Sequence, residues 1–277
     1  MSANFRRLSC LLLLLLLATR LAAMAWIPLT DDTEARYAEV ARKMVDNGNW
    51  ITPMGLHGPF WAKPPLSTWV SAVGMHLFGI NAFAARLPNL LLMLLTLLMV
   101  AAFVAQKRGR DAGLLAALMG ASMLLIYVTA GTVMTDTCLV FSTTWVLLAF
   151  WQARETGKKR WGYLMFAGLG VGLLAKGPVA LALTGMPVFF WAVWQKDLKQ
   201  SIRCLPWAGG LLLMLAIALP WYLMAEHRTP GFLRYFFIGE NIERFLNPDW
   251  TGDKYGSSHL HPYGAIWVYW LAAAFPW

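Results

Sequence analysis

Long apolar runs separated by short charged connectors constrain the fold of this chain more than any other feature. The first run occupies residues 8–27, which matches the roughly 20 residues that a helix needs to cross a hydrocarbon core of ~30 Å. Hydrophobic residues make up 58% of the chain and charged residues only 13%, whereas a soluble domain carries about 25% charged residues. The sequence therefore predicts an all-α membrane protein that folds as a multi-span helical bundle.

The apolar runs also give the expected order of the spans within a single membrane domain. Arg20 inside the first run, and the many apolar runs that follow, favour an uncleaved span over a cleaved signal peptide. Residues 65–78 are too few to cross and carry several polar side chains, so we expect a helix at the membrane interface there. The sequence stops inside an apolar run, and we expect it to be part of a longer protein. The expected spans are residues 8–27, 84–105, 112–130, 137–153, 161–175, 178–194, 206–225 and an incomplete one at 262–277.

Basic residues gather in the short connectors between these spans. By the positive-inside rule they lie in the cytoplasm together with the N-terminus. The long loops 28–83 and 226–261 then lie on the periplasmic face of a bacterial inner membrane. The same rule accounts for the net charge of +9, so no nucleic-acid partner is predicted. The residues assigned to the cytoplasmic side are Arg6, Arg7, Lys107, Arg108, Arg110, Arg154, Lys158, Lys159, Arg160, Lys196, Lys199 and Arg203.

The first outer loop opens with the acidic residues Asp31, Asp32 and Glu34. Residues 33–47 are predicted to form a helix that ends at Gly48, a frequent residue at helix C-termini. Asp31 and Glu34 have the spacing of a capping box, so helix capping alone is one interpretation of the acids. Apolar residues recur along the helix at helical spacing, which favours a helix lying flat on the membrane. A carboxylate at its start would then lie where the reacting group of a lipid also lies.

Further charged residues are expected on the same face. Lys63 stands between Trp61 and two prolines, Asp136 and Lys176 stand at the ends of spans, and residues 230–248 mix aromatic with charged side chains. Each has a plain structural alternative: an interfacial anchor, a span end, a turn or an aromatic belt. Taken together, they place ammonium groups that can hold a phosphate beside carboxylates that can accept a proton.

The order of these segments resembles the membrane glycosyltransferases that use polyprenyl-phosphate sugars. The resemblance is closest to the bacterial family of the 4-amino-4-deoxy-L-arabinose lipid A transferase, within the dolichyl-phosphate-mannose protein mannosyltransferase superfamily. It covers essentially the whole chain. It is carried by Thr33-Glu34-Ala35-Arg36-Tyr37-Ala38-Glu39, Arg42-Lys43-Met44, Asn49-Trp50, Phe60-Trp61-Ala62-Lys63-Pro64-Pro65, Phe78-Gly79, Asp136, Lys176-Gly177, Tyr235-Phe236-Phe237, Glu240-Asn241 and Arg244-Phe245.

The resemblance implies a GT-C fold: a bundle of membrane helices with a large first periplasmic loop that contains membrane-parallel helices, and an active site at the outer surface. It assigns three groups of residues. The catalytic carboxylates are Asp32 or Glu34, with Asp136. The residues expected to bind the donor phosphate are Lys63, Lys176 and Arg36, and those of the substrate loop are Tyr37, Glu240, Asn241 and Arg244.

Two positions depart from the family pattern. The family has Asp-Glu shortly before Arg-Tyr, where this chain has Thr33-Glu34 with Asp32 one residue earlier. It is therefore open whether Asp32 or Glu34 is the working carboxylate. Ala62 replaces the acid that precedes the lysine in the family, which weakens the case for a divalent metal. No metal ligands are predicted, and the cofactor requirement is left unknown.

The reaction implied is an inverting transfer of a sugar from a polyprenyl-phosphate donor to a lipid (lipid A-like), glycan or protein acceptor, in contact with membrane lipids. A multi-pass transporter or flippase of a lipid-linked substrate is the alternative. Such a protein would place ionisable residues near the middle of spans and often has two related halves. Apart from Arg20, the charges here lie at the expected membrane surfaces. A non-catalytic remnant is the third interpretation, because the later spans and the soluble domain of the family are absent from this sequence.

Overall fold

The structure is a computed structural model that describes residues 2–29, 31–56, 58–246 and 262–277, and these residues are mainly helical. Strands β1 (Met54–Gly55) and β2 (Gly58–Pro59) pair antiparallel, with Met54 opposite Pro59. A π-helix covers Arg234–Glu243. The α-helices are α1 (Ala3–Trp26), α2 (Asp32–Asn47), α3 (Leu66–Phe78), α4 (Ala82–Arg108), α5 (Arg110–Ser122), α6 (Leu124–Thr129), α7 (Thr135–Thr156), α8 (Lys159–Lys176), α9 (Pro178–Trp194), α10 (Leu198–Arg203), α11 (Trp207–Arg228), α12 (Arg244–Leu246) and α13 (Ala265–Ala274).

The expectation of an all-α membrane bundle is confirmed. Within the described part of the chain, α1, α4 and α11 are long and apolar enough to cross a membrane, judged by length and composition. A helix or a pair of helices lies in each segment where a span was expected. Which of the shorter helices cross the bilayer stays a prediction.

The expected span 112–130 is divided into α5 and α6 at Met123, whose backbone is extended (φ −60°, ψ 128°). The hydroxyl of Ser122 donates to the carbonyl oxygen of Leu118 at 2.6 Å, a contact that competes with regular helix geometry and bends helices. The N–H of Leu124 donates instead to the carbonyl oxygen of Phe275, just after α13, at 2.8 Å. A count of apolar residues does not detect such a break, because both halves remain apolar.

Helix α2 begins at Asp32, one residue earlier than expected, and ends at Gly48 with φ 66° as expected. Asp31 caps it, because its Oδ1 accepts the N–H groups of Thr33 and Glu34 at 2.9 Å each. The apolar stripe of α2 is buried in protein, where a stripe facing lipid was also compatible with the sequence. It packs with residues of α3, α4 and the segment just after β2 in a cluster containing Tyr37, Ala38, Val40, Ala41, Met44, Phe60, Ala72, Met75 and Ala85.

Helix α3 forms where the interfacial helix was expected and packs closely on α4. A Cβ added at Gly74 would lie 2.1 Å from the carbonyl oxygen of Ala84 and 2.7 Å from Cγ of Pro88. Real Cβ atoms do not approach backbone oxygen so closely, so the absence of a side chain at Gly74 permits this contact. The contact fixes the part of the first loop that leads away from Lys63.

Residues 234–243 form the π-helix, where the sequence predicted a loop with an aromatic belt. Phe232 and Phe236 are buried against Trp221 and Tyr222 of α11. The ring centroids of Phe232 and Phe236 are 5.8 Å apart and stacked. This aromatic cluster anchors the π-helix beside the end of α8. The last part of the expected loop, residues 247–261, lies outside the described residues.

The direction of α7 and α8 defines two ends of the bundle. Asp136 is at the start of α7, and Lys176 is at the end of α8, so both lie at one end. Arg154 and the connector to α8 lie at the other end, which carries most of the basic connectors. The charged residues of the expected site therefore share the end that also holds α2.

Candidate functional site

Glu34 lies in a buried ion pair with Arg86 of α4. Nε of Arg86 donates to Oε1 of Glu34 at 2.8 Å, and Nη2 donates to Oε2 at 2.7 Å. The side chains are only 5% (Arg86) and 6% (Glu34) exposed. Oε1 of Glu34 also accepts the N–H of Val133 at 3.2 Å. Both carboxylate oxygens are thus engaged. In a capping box the carboxylate of Glu34 would accept the backbone N–H of Asp31, whereas here it pairs with Arg86.

The guanidinium of Arg86 also donates to backbone carbonyl oxygens in the last turn of α1 and in the residues just after it. It contacts the carbonyl oxygens of Met24 and Pro28 at 3.2 Å each, and that of Ile27. The side chain of Arg86 therefore links α4 to the end of α1 and to the start of α2. Glu34 also links this group to the segment before α7, because it accepts the N–H of Val133. The sequence analysis did not select Arg86. Its signal was a single cation early in an apolar helix, which needs a partner inside the protein.

Asp32 and Arg36 occupy the exposed side of the first turns of α2. The side chain of Asp32 makes no hydrogen bond or ion pair with a described residue, so its carboxylate is open to solvent. Burial raises the pKa of the neighbouring Tyr37, and the charge of Arg36 opposes that rise. Of the two carboxylates that the sequence left as alternatives, the structure exposes Asp32 and encloses Glu34.

Glu240 gathers the donors of three side chains. Its Oε2 lies 3.3 Å from Nζ of Lys63 and accepts from Nη1 of Arg244 at 3.1 Å. Its Oε1 accepts the hydroxyl of Tyr235 at 3.1 Å. The side chain of Glu240 is 2% exposed. This carboxylate therefore connects the segment between β2 and α3 to the π-helix across 177 positions of sequence.

Burial lowers the pKa of Lys63, and the charges of Lys176 and Arg244 lower it further, while Glu240 raises it. Desolvation disfavours the charged ammonium, and nearby cations repel it. Lys63 is therefore less firmly protonated than an exposed lysine. Lys176 and Arg244 therefore both lie within electrostatic range of Lys63.

Lys176 and Asp136 form the second ion pair of the site. Nζ of Lys176 lies 2.7 Å from Oδ1 of Asp136. The side chain of Asp136 is 52% exposed and that of Lys176 is 25% exposed, so this pair faces solvent more than the Lys63–Glu240 pair does. The pair links the start of α7 to the end of α8.

Tyr37 lies within electrostatic range of the carboxylates of both ion pairs. Burial raises its pKa, the charges of Asp136 and Glu240 raise it further, and a side-chain hydrogen bond with Thr135 lowers it. Both carboxylates therefore act on one phenol that α2 supplies. Tyr37 also packs edge-on against Phe60, with ring centroids 5.6 Å apart, which fixes the ring beside the segment carrying Lys63.

Asn241 has a structural contact in the described part of the chain, because its Nδ2 donates to the carbonyl oxygen of Phe236 at 2.6 Å. Its amide group supports the π-helix from within. The expectation that it belongs to a substrate loop stays a prediction. Ala62, where the family has an acid, is buried.

The structure thus brings together most of the side chains that the sequence analysis selected. Cations and carboxylates from the first loop, α7, α8 and the π-helix form two ion pairs within electrostatic range of each other, and Tyr37, Asp32 and Arg36 lie on the first turns of α2. Among the described residues, no group of three or more His, Cys, Asp or Glu side chains could hold a metal ion. The arrangement is suited to holding an anionic group with ammonium and guanidinium donors. The charged members of this group are Lys63, Asp136, Lys176, Glu240 and Arg244.

Comparison with known proteins gives one family for most of the chain. Residues 5–236 match the family model of dolichyl-phosphate-mannose-protein mannosyltransferase. A curated relative from Erwinia tasmaniensis, the undecaprenyl phosphate-alpha-4-amino-4-deoxy-L-arabinose arabinosyl transferase, is 30% identical over 249 residues, which are 88% of this chain and 43% of the relative. The protein of the same name from Pseudomonas savastanoi pv. phaseolicola is 32% identical over 251 residues, 88% of this chain and 44% of that protein.

Two solved structures share the fold. The crystal structure of ArnT from Cupriavidus metallidurans bound to undecaprenyl phosphate matches with a TM-score of 0.88 and 26% identity, covering 100% of this chain and 50% of that chain. The apo structure of the same protein matches with a TM-score of 0.77 and 27% identity, covering 86% of this chain and 45% of that chain. The chain therefore spans about half the length of the relatives that it matches, and the GT-C fold expected from the sequence is confirmed.

Proposed function

We propose, from the premise that this chain belongs to the dolichyl-phosphate-mannose-protein mannosyltransferase family, that it carries the donor-binding end of a glycosyltransferase. The reaction is the transfer of a sugar from a polyprenyl phosphate to an acceptor. The curated relatives are named as transferases that use an undecaprenyl phosphate-linked sugar. For this chain the donor class, the lipid (lipid A-like) acceptor and the site's position on the periplasmic side belong to the proposal.

One observation carries the proposal: two lysine–carboxylate pairs from distant parts of the sequence lie within electrostatic range of each other, and both carboxylates act on Tyr37. Lys63 pairs with Glu240, and Lys176 pairs with Asp136. Nearby cations suit the phosphate of a lipid donor, because ammonium and guanidinium donors stabilise the charge that grows on a leaving phosphate. A transporter would need ionisable groups along a path through the bundle, whereas these groups are gathered at one end.

In this mechanism Lys63, Lys176 and Arg36 hold the donor phosphate. An acceptor hydroxyl or phosphate oxygen attacks the anomeric carbon, and the bond from that carbon to the phosphate oxygen breaks with inversion. The proton of an attacking hydroxyl passes to a carboxylate, for which Asp32 is the exposed group, with Asp136 nearby. Glu34 supports the site through Arg86 because both of its oxygens are engaged.

The test is transfer of radiolabelled sugar from membrane lipid to acceptor in cells that express the intact reading frame. Lys63→Ala is expected to lower transfer by about 10²–10³-fold, the range for removal of one fixed donor in a transition state. Lys158→Ala is the matched control, because Lys158 is an exposed lysine at the opposite end of the bundle. It is expected to leave transfer unchanged.

Equal transfer with and without Lys63 would contradict the assignment of the donor site. Label that stays on the lipid but changes its side of the membrane would identify a transporter. The acceptor that becomes labelled identifies the partner and separates lipid from protein acceptors.

A further inference from the structure

Two cavities adjoin each other at the end of the bundle opposite the candidate site. The first is an apolar cavity of about 540 Å³ between α7, α8, α9, α10 and α11. Leu181, Phe189 and Leu211 on its rim are 36%, 51% and 41% exposed, so the cavity is open to the surroundings of the bundle. An apolar cavity of about 150 Å³ already accommodates a benzene molecule, so this one has room for a long hydrocarbon segment.

The second is a basic cavity of about 620 Å³. It is lined by Arg154, Lys196, Lys199, Arg203 and Asp197, among other residues. The carboxylate of Asp197 is taken up by an ion pair with Arg154 and by the hydroxyl of Ser201 at 3.1 Å. Within the part of the chain that the structure describes, the side chains of Lys196, Lys199 and Arg203 form no ion pair. The cavity therefore carries uncompensated positive charge.

Helix α10 forms the boundary between the two cavities. Leu198, Ile202 and, just past the helix, Leu205 face the apolar cavity, whereas Lys199 and Arg203 face the basic one. This spacing of three and four residues separates the two faces of a helix. A hydrocarbon pocket and a cluster of cations thus lie within the width of one helix, as an anionic amphiphile requires.

We propose that these cavities form a binding site for an anionic phospholipid, with its phosphate head group in the basic cavity and an acyl chain in the apolar cavity. Basic pockets between membrane helices on the cytoplasmic side bind anionic lipid head groups. With the proposed orientation of the chain, this lipid belongs to the inner leaflet. The site therefore rests on the proposed topology, and it adds a lipid that is neither donor nor acceptor.

The lipid bound here is distinct from the sugar donor. Helix α7 separates the two ends of the bundle and has 22 residues, which is roughly 33 Å at a rise of about 1.5 Å per residue. A phosphate near Lys63 and Lys176 cannot reach Lys199 and Arg203 across that distance. The basic cavity holds a second phosphate, and its occupancy can be measured without any sugar transfer.

The experiment measures lipid binding by the protein expressed from its intact reading frame and placed in bilayer nanodiscs. The probes are phosphatidylglycerol and zwitterionic phosphatidylcholine, each with a fluorescent acyl chain. Lys199→Gln with Arg203→Gln is expected to weaken phosphatidylglycerol binding by about 25-fold, because each basic residue near an anionic lipid contributes about fivefold. The matched control is Lys158→Gln with Lys159→Gln, which removes two cations at the same end but outside the cavity lining.

A second variant tests the apolar half. Gly185 lines the apolar cavity, and a Cβ added there meets nothing within 4 Å. Gly185→Leu therefore adds bulk at the wall of the cavity without a clash at Cβ, and it is expected to weaken phosphatidylglycerol binding at least tenfold while the fold is kept. Circular dichroism of each variant checks that the fold is kept.

The outcomes separate the alternatives. Weakening by both cavity variants, with the control unchanged, supports the two-part site. Three results would each overturn it: phosphatidylcholine binding as tightly as phosphatidylglycerol, the control variant losing as much binding as the Lys199 and Arg203 variant, or Gly185→Leu binding phosphatidylglycerol unchanged. The last result would mean that surface charge alone attracts the lipid. A higher donor KM in Gly185→Leu with unchanged phospholipid binding would show that the apolar cavity holds the polyprenyl chain, which also overturns the proposal.

Discussion

Glu34 and Arg86 form a bidentate ion pair, 2.8 and 2.7 Å long, that is almost fully buried and joins the start of α2 to α4. Desolvating both ions is costly, and the pair is kept because each partner compensates the other and further hydrogen bonds complete the network. Removing either partner leaves a buried charge without compensation. The pair therefore has its main effect on the geometry of the site, since α2 presents Asp32, Arg36 and Tyr37.

Arg86→Ala is expected to lower the free energy of unfolding by about 3–5 kcal/mol, because Glu34 is left buried and unpaired. Thermal unfolding in detergent measures it. The double variant Glu34→Leu, Arg86→Met removes both charges and is expected to recover part of the loss. The pair of Lys107 and Glu155, which is more exposed than the pair of Arg86 and Glu34, is the control, and Lys107→Ala is expected to cost less than about 1 kcal/mol. A loss of similar size in both pairs would contradict the structural role of Arg86.

The two carboxylates of α2 are expected to differ in how they affect activity and stability. Asp32→Asn removes an exposed carboxylate and is expected to lower kcat by about 10²–10⁴-fold, the range for a general base, with an unchanged melting temperature. Glu34→Gln is expected to lower both, because it weakens the pair with Arg86. Steady-state sugar transfer and thermal unfolding on the same preparations distinguish these results.

Asp31→Ala is the control for that comparison. It removes the N-cap of α2 and is expected to cost about 1 kcal/mol of stability while leaving the activity per folded molecule unchanged. Normal activity of Asp32→Asn together with a stable, inactive Glu34→Gln would transfer the catalytic role to Glu34.

The sequence predicted local features of the site well, because their causes lie within a few residues. Asp31 caps α2, and Gly48 ends it in the left-handed conformation. The choice of Lys63, Asp136, Lys176 and Glu240 relied on charge at the membrane surface and on family motifs, and the structure brings these residues together. That they act in catalysis stays a prediction.

Other features depend on contacts between residues far apart in the sequence, which local sequence patterns do not predict. Lys63 and Glu240 are 177 positions apart, and the local sequence around either residue does not predict that they pair. An apolar stripe on α2 fits a lipid surface and a protein surface equally well, and only the packing against Phe60 and Met75 decides between them. The side chains of a π-helix recur at a different spacing from those of an α-helix. The aromatic residues of 234–243 therefore did not show α-helical periodicity, and the segment was predicted to be a loop.

Close packing of α3 on α4 predicts that Gly74 tolerates no side chain. Gly74→Ala would place Cβ 2.1 Å from the carbonyl oxygen of Ala84, and overpacking of this kind costs about 1–3 kcal/mol. Thermal unfolding measures the loss. Gly185→Ala is the matched control in another helix, where a Cβ meets nothing within 4 Å. There the substitution is expected to stabilise by about 0.5–1 kcal/mol, because alanine favours the helix. A neutral Gly74→Ala would mean that α3 and α4 are farther apart.

Glu240 is expected to set the alkaline limit of donor binding. Its charge raises the pKa of Lys63, which burial, Lys176 and Arg244 lower. A donor phosphate binds the ammonium form, so kcat/KM is expected to fall as pH rises through the lowered pKa of Lys63. Glu240→Gln removes the opposing charge, the pKa falls further, and the alkaline limb moves to lower pH. The pH dependence of kcat/KM measures this shift, with Glu243→Gln on the exposed side of the same helix as the control. An alkaline limb that stays in place in Glu240→Gln would show that Lys63 does not bind the donor as an ammonium.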